Sequence, residues 1–414
     1  MENQYVKGKK QRPIWRWTLL SAAAIAAIVA GTVGYVVHAS GLKPNYWPTR
    51  EWRTATPEEE GMDSATLAGL FDQLDGKHLH SMVIVRNGYI VAEAYNHDLN
   101  ASSKVHVLSV TKSIMSALAG IAINEGKFKG IGQTIYETFP DWPAFSGDDG
   151  KKQLTLQHLM TMSTGLAWDN TNEKSTNEMM GTDDWAQYYI SQPLAAQPGT
   201  QFMYSNGSAH MVSAMLQKRL GEPTSQYAAE KLFKPLGISD VEWPADPSGT
   251  TIGAWGVHLT TREMAKFGQL YLMQGNWEGQ QIVPKDWVEL STREYVTEEG
   301  PDGDRRGYGY FWWIRALDHT KDPASREDAI FSAIGSGGQR IAVIPKYNMV
   351  VAFTANNSDA FFTNELLDRY ILSSVKSSRP LKENAAGQAL LKQKIGQFKQ
   401  TSDPGSPPAE YTAG

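Results

Sequence analysis

A serine followed three residues later by a lysine occurs three times in the chain, at Ser40/Lys43, Ser109/Lys112 and Ser373/Lys376. The spacing carries chemistry only on a helix, where residues i and i+3 share a face and an amine can reach a hydroxyl. Ser40 falls in a Gly-containing linker, and Ser373 sits at a helix end where Lys376 would run into solvent. Ser109 alone opens an apolar-periodic segment, with Val110, Ile114, Leu118 and Ile121, that stops near Gly126. At that helix start the serine N–H is unpaired and the helix dipole favours developing negative charge. Lys112, walled by Val110, Ile114 and Met115, is a candidate for desolvation, which would let it accept a proton. The bland alternative is a Ser N-cap with a solvated Lys.

Two further elements follow in order. Tyr204-Ser205-Asn206 comes after the turn residues Gln197-Pro198-Gly199-Thr200 and before a helix read over His210–Leu220. A Tyr held near an ammonium could have its phenol activated as a general base; otherwise it is an ordinary loop Tyr. Ala333-Ile334-Gly335-Ser336-Gly337-Gly338-Gln339 lies at the end of an expected strand. Its glycines let backbone approach a ligand, so that an N–H here could pair with that of Ser109 as an oxyanion hole; the alternative is a Gly-rich hairpin turn.

The elements that must hold these groups are strands at both ends of the chain. His80–Val85 and Ile90–Tyr95 flank the turn Asn87-Gly88. Tyr308–Ile314, Ala329–Ile334, Arg340–Ile344 and Met349–Thr354 return near the C-terminus, with Pro345–Asn348 as a tight turn and a closing helix over about Asn364 to Val375. Between them the chain reads as mostly helical, including a helix opened by the capping box Thr260-x-x-Glu263. The expectation is an α+β fold: an antiparallel sheet flanked by helices, built from both chain ends (about 61–125 and 300–376), with a mostly helical insertion over about 126–299. Trp312-Trp313 is read as part of a strand, with one ring toward the core and one toward a helix layer.

Composition excludes several other chemistries. The 414 residues include no Cys, which removes thiol nucleophiles, thiolate metal sites and disulfides. The pI near 6.0 and net charge of -5 give no reason to expect nucleic-acid binding. The nine His show no metal-ligand spacing, and His158 and His258 read as core or capping residues. No G-x-S-x-G elbow or phosphate loop is present. No metal or cofactor is expected.

The first 16 residues carry Lys7, Lys9, Lys10, Arg12 and Arg16 against Glu2, and Trp17–Val37 then runs without a charged side chain. As a helix that run would span ~31 Å, about one hydrocarbon core, with the basic arm cytoplasmic and everything after it outside. A single-pass anchor in the lipid bilayer is the preferred reading; a signal segment cleaved near Ala39 is the alternative. Residues 38–60 read as a linker. Residues 377–414 read as an extension with a disordered end over Thr401–Gly414.

Taken together, Ser109-Val-Thr-Lys112-Ser, Leu159-Met-Thr-Met-Ser-Thr-Gly165-Leu, Tyr204-Ser-Asn206, Gly256–Leu272 and Gly335-Ser-Gly-Gly-Gln339 resemble the serine β-lactamase and penicillin-recognising superfamily, in its class C-like branch of esterases, amidases and 6-aminohexanoate-oligomer hydrolases. The resemblance covers roughly residues 55–376. It implies Ser109 as the acylated nucleophile, with Lys112 and Tyr204 exchanging its proton in an order the sequence leaves open. It implies Asn206 bonded to Lys112 and to the substrate carbonyl, and the N–H groups of Ser109 and Ser336 holding the oxyanion, with Gly335 and Gly337 around them. Trp168, just after the Ser-Thr-Gly-Leu segment, is a candidate substrate wall or a packing residue. One departure stands out: the family's Lys-Thr-Gly strand triplet is here Ala333-Ile334-Gly335, so a cation that supports carboxylate binding is missing. The expectation is therefore an extracytoplasmic serine hydrolase acting on a small-molecule ester or amide. The alternatives are a non-catalytic sensor of envelope components and a D,D-peptidase or β-lactamase.

Overall fold

The computed structural model describes residues 46–300, 305–318, 323 and 325–401. The Trp17–Val37 segment, the basic arm before it, the Ser40/Lys43 pair and the chain after Thr401 lie outside the described residues. Among the described residues no helix is long and apolar enough to cross a membrane.

Asn87 and Gly88 take φ of 51° and 89°, the left-handed backbone of a two-residue hairpin turn, and join β1 (Leu79–Arg86) to β2 (Tyr89–Tyr95). Two small ribbons follow: β3 (Lys104–His106) with β4 (His258–Thr260), and β5 (Asn276–Trp277) with β6 (Gln280–Gln281). The main sheet is completed by β7 (Val296–Glu299), β8 (Arg305–Tyr308), β9 (Trp313–Ala316), β10 (Ala329–Gly335), β11 (Gln339–Ile344) and β12 (Met349–Ala355). Its order is β2-β1-β12-β11-β10-β9-β8-β7, antiparallel throughout. The β1–β12 pair, with Val83 opposite Ala352, stitches the two ends of the chain together as the α+β reading requires.

Successive side chains alternate between two cores, as the two-residue strand period demands. Val83, Phe331, Ile341 and Val350 point to one, Met82, Ile330, Ala342 and Val351 to the other. The first face is covered by α1 (Val110–Asn124) and by α4 (Thr261–Leu272), which opens with the expected Thr260–Glu263 capping box. Between them in the chain come α2 (Trp185–Ser191) and α3 (Asn206–Leu220), in the helical region. The second face is covered by Ser64–Ala68, by the helical run Thr363–Leu372 and by a C-terminal helix, Ala385–Thr401.

Helix α1 is buried on every side from Val110 to Ala122. An all-round buried helix is small or apolar at nearly every position, and Lys112 is the exception here. Gly120 lets Trp287 lie directly on the backbone, where a Cβ would come 2.3 Å from the ring, and Ser113 bonds the Phe311 carbonyl at 2.6 Å. The nucleophile helix is thus a fixed post rather than a surface element.

Three local expectations change. The single strand read over Tyr308–Ile314 is two strands, β8 and β9. The chain turns at Gly309–Trp312, where Phe311 takes φ 62° and donates to the Met160 carbonyl, and burial of Phe311 and Trp312 holds the turn inward. Trp312 therefore lies in that turn, packed on Phe267 and Tyr271 of α4, and only Trp313 belongs to a strand. Residues 46–60, read as linker, lie on the body: Trp52 is in the core, and the Thr49 carbonyl accepts from buried Lys266 at 3.0 Å. The extension beyond 376 includes a helix that buries Leu391 and Phe398 against the sheet-side core.

Gly335 ends β10 against the start of α1. A Cβ there would sit 2.6 Å from the Val107 carbonyl oxygen and 3.1 Å from the Ser109 nitrogen. Backbone cannot yield as a flexible side chain does, so Gly335→Ala should cost about 1–3 kcal/mol in urea denaturation. Gly132→Ala, where nothing lies within 4 Å, should stay within about 0.5 kcal/mol of the parent. Equal stability of the two variants would contradict the close approach.

Candidate active site

Ser109 is the N-cap of α1, yet its side chain makes no capping bond, so its hydroxyl is available for other work. It follows Leu108, a non-glycine residue with φ 49°, which turns the chain sharply into the helix. One turn along, the Lys112 amine touches three oxygens: Ser109 Oγ at 2.9 Å, Asn206 Oδ1 at 2.8 Å and the Ala254 carbonyl at 3.0 Å. Ser373 and Lys376, by contrast, make hydrogen bonds only to backbone carbonyls on an exposed helix end.

Each partner of Lys112 is placed by local sequence. Ser205 caps α3, its Oγ accepting from the Ser208 N–H at 3.2 Å, so Asn206 becomes the first helical residue and Tyr204 the last before the cap. The Leu159–Leu166 segment holds the approach to Tyr204 through Gly199 N–H to Ser163 O and Met203 N–H to Met162 O, both 2.7 Å. Asn206 gives its amide N–H to Thr176 Oγ1 at 3.0 Å, leaving Oδ1 for the lysine. The Ala254 carbonyl is set by Gly253, where a Cβ would lie 2.2 Å from the Ala209 carbonyl oxygen. The Tyr204 ring lies 4.9 Å below the Lys112 amine and stacks on Trp313 at 6.0 Å.

Only 1% of Lys112 is exposed. Burial pulls its pKa down to about 7, opposed by the negative charge of Glu173. Glu173 is exposed, so water screens its effect and desolvation wins. An amine half neutral near pH 7 and bonded to a serine hydroxyl can act as a base.

The cleft around this group, about 810 Å³, is lined by Ser109, Tyr204, Asn206, Gly335 and Ser336 together with Asn170, Glu173, Trp255, Trp313 and Phe361. Gly337, with φ 77°, faces an adjoining recess shared with Ser336 and Glu173. Trp168 does not line the cleft. It is buried, gives its indole N–H to Asn170 Oδ1 at 3.0 Å and packs edge-on against Tyr189, so the packing alternative is the one the structure adopts. Its neighbours Asn170 and Glu173 reach the cleft instead, and Trp313 and Trp255 supply the indole walls. His158 completes a capping box with Thr155, and His258 stacks on His106 at 4.9 Å, so neither belongs to the site.

A family model described as Beta-lactamase matches residues 67–376. The 6-aminohexanoate-dimer hydrolase of Paenarthrobacter ureafaciens is 24% identical over 324 residues, covering 72% of this chain and 78% of its own. Among solved structures, D-alanine carboxypeptidase AmpC from Burkholderia cenocepacia superposes with a TM-score of 0.57 at 15% identity, over 75% of this chain and 98% of that one. EstCE1, a hydrolase with promiscuous acyltransferase activity, superposes with a TM-score of 0.58 at 15% identity, over 76% and 99%. These structural likenesses speak for the fold. The family match runs over most of the sequence and encloses Ser109, Lys112, Tyr204, Asn206 and Ser336 alike, and by it the chain belongs to the Beta-lactamase family of serine hydrolases.

Proposed function

We propose that this protein hydrolyses an ester or amide bond through an acyl-enzyme on Ser109, and does so outside the cytoplasm. The observation that carries the reading is the lysine's hydrogen-bond geometry. A neutral amine has two N–H donors and one lone pair. Asn206 Oδ1 and the Ala254 carbonyl can only accept, so they take the two hydrogens and aim the lone pair at the Ser109 hydroxyl. The location rests on the uncharged Trp17–Val37 run behind a basic arm.

In this mechanism Lys112 takes the Ser109 proton as Oγ bonds the substrate carbonyl carbon. The oxyanion is held by the N–H groups of Ser109 and Ser336, where β10 meets the start of α1. The proton passes by way of Tyr204 to the leaving oxygen or nitrogen, whose bond to carbon breaks, and the acyl group stays on Ser109. A water then attacks the ester, its proton returns through the same base, and the acid leaves with Oγ–H restored. The likeness to a 6-aminohexanoate-dimer hydrolase supports a simple amide, or the corresponding ester, as substrate.

Intact-mass spectrometry after a fluorophosphonate should show one adduct on the wild type and none on Ser109→Ala. An unlabelled folded wild type would favour a non-catalytic binding module. For hydrolysis of 4-nitrophenyl butyrate, Lys112→Met should lose about 10²- to 10⁴-fold in kcat.

The pH dependence has a definite sign. The base must be neutral, and the pKa of Lys112 lies near 7, so kcat/KM should rise with pH through about 7 and fall about tenfold per unit below it. Asn206→Asp would set a carboxylate against the amine, favour its charged form and move that limb about 1–3 units higher. A limb that stays in place in Asn206→Asp would remove Lys112 as the titrating group.

A further inference from the structure

Two backbone N–H groups bracket the segment that serves Lys112. Gly253 N–H donates to Nδ1 of His210 on α3 at 3.5 Å, and Gly256 N–H donates to Nε2 of His106 on β3 at 2.9 Å. Between these glycines stand Ala254, whose carbonyl accepts from Lys112 at 3.0 Å, and Trp255, which lines the cleft. A backbone N–H can only donate, so each ring nitrogen facing it must offer a lone pair. A neutral imidazole does so in one tautomer alone: Nε2–H for His210 and Nδ1–H for His106.

The surroundings favour neutral, oriented rings. His210 and Asp246 are both buried, and His210 Nε2–H donates to Asp246 Oδ2 at 3.1 Å. The carboxylate is itself held. Oδ2 accepts from the Trp185 N–H at 3.3 Å, and Oδ1 accepts from Ser248 Oγ–H at 2.7 Å and Thr250 N–H at 2.8 Å. Burial would raise the Asp246 pKa, but the bonds from His210 and Ser248 outweigh it and leave the carboxyl below its ordinary value, ionised and able only to accept. The His106 ring stacks on His258 of β4 at 4.9 Å, and burial together with that neighbour pushes its pKa down to about 4. His258 Nδ1 in turn donates to the Gly256 carbonyl at 3.2 Å, so Gly256, with φ 104°, is held through both its N–H and its carbonyl. The Trp185 ring packs against both His210 and Trp255, at 5.3 and 5.5 Å.

We propose that His210 and His106 are positioning residues of this site: as neutral acceptors they clamp the two ends of Gly253–Gly256 and so fix the Ala254 carbonyl on which the Lys112 amine depends. Neither ring lines the cleft, and both act through the backbone between them. The clamp's effect on turnover rests on the acyl-enzyme reading; its effect on Lys112 does not.

Asn and Gln separate this role from packing. An Asn Oδ1 can stand where Nδ1 stood, and a Gln Oε1 where Nε2 stood. His210→Asn therefore keeps an acceptor for Gly253 and His210→Gln does not, whereas His106→Gln keeps an acceptor for Gly256 and His106→Asn does not. With 4-nitrophenyl butyrate, His210→Asn should exceed His210→Gln in kcat by about tenfold or more, and His106→Gln should exceed His106→Asn likewise, because a displacement of about 1 Å costs on the order of 10²-fold. In the two variants without the acceptor, the acid limb of kcat/KM should lie about one pH unit lower, since a carbonyl that slips away no longer favours the ammonium. A second arm needs no turnover: acetic anhydride labelling of Lys112 across pH in Ser109→Ala, read by peptide mass spectrometry, should show the same crossed order in the amine's pKa. Loss of packing alone would lower stability in Asn and Gln variants and leave that pKa in place. The crossed order in labelling, with no turnover even in the wild type, would overturn the acyl-enzyme reading and leave the clamp standing. Asn and Gln variants with equal Lys112 labelling would overturn the clamp, and if one pair does not fold the other pair decides it.

Discussion

The Lys112 amine sits where water cannot solvate it, and the rest of the site is arranged around that fact. An ammonium stripped of water needs three acceptors, and the structure brings them from three places: the helix start at Ser109, the first residue of α3 at Asn206 and the loop carbonyl at Ala254. Ser109 is a neighbour on the same helix, but the other two come from distant parts of the chain. The lysine is therefore both a tie between the sheet half and the helical half and an amine whose proton comes off near neutral pH. Desolvation lowers its pKa, and the three fixed oxygens keep it from escaping toward solvent. One burial event gives cohesion and a neutral amine together.

That burial depends on a rigid support. Helix α1 has no exposed face along its first three turns, Trp287 is pressed onto Gly120, and the sheet beneath is closed by the pairing of its first and last long strands. On the far side of the cleft the same logic is expressed through close backbone approaches. Gly335 lets β10 end against the Ser109 nitrogen, and Gly253 lets the Ala254 loop lie on α3. Positions whose role is to have no side chain fix the distances between groups that do.

The parts legible in the sequence were those with a local signature. Ser109 and Lys112 share a helix face, Tyr204 and Asn206 bracket a cap residue, and alternating strands around Asn87-Gly88 and Pro345–Asn348 announce their own turns. What stayed hidden lacks such a signature. The Ala254 contribution is a carbonyl, which every residue possesses, and Gly253 differs from other glycines only through a contact across the fold. Trp168 stood next to a motif and was weighed for that reason, while Trp313 reaches the cleft because the chain folds back at Phe311, a long-range burial effect overriding strand propensity in Tyr308–Ile314. The helix Ala385–Thr401 did carry a signal, Leu391, Ile395 and Phe398 at helical spacing, but its partner surface is the far face of the sheet.

Trp313 joins the two halves of the functional surface. One face of its ring stacks on Tyr204 and its edge meets Phe361, which in turn carries the Arg306 guanidinium. Aromatic rings are well suited to such a position: they hold shape with few rotatable bonds, and their faces accept cations while excluding water from between them. A substrate in the cleft would meet this wall beside the proton-handling Tyr204. In the proposed mechanism, the position of the proton-handling ring and the shape of the cleft beside it then depend on one side chain's placement. That placement is set by the β8–β9 turn, where Phe311 and Trp312 are anchored in the core so that Trp313 can face the cleft.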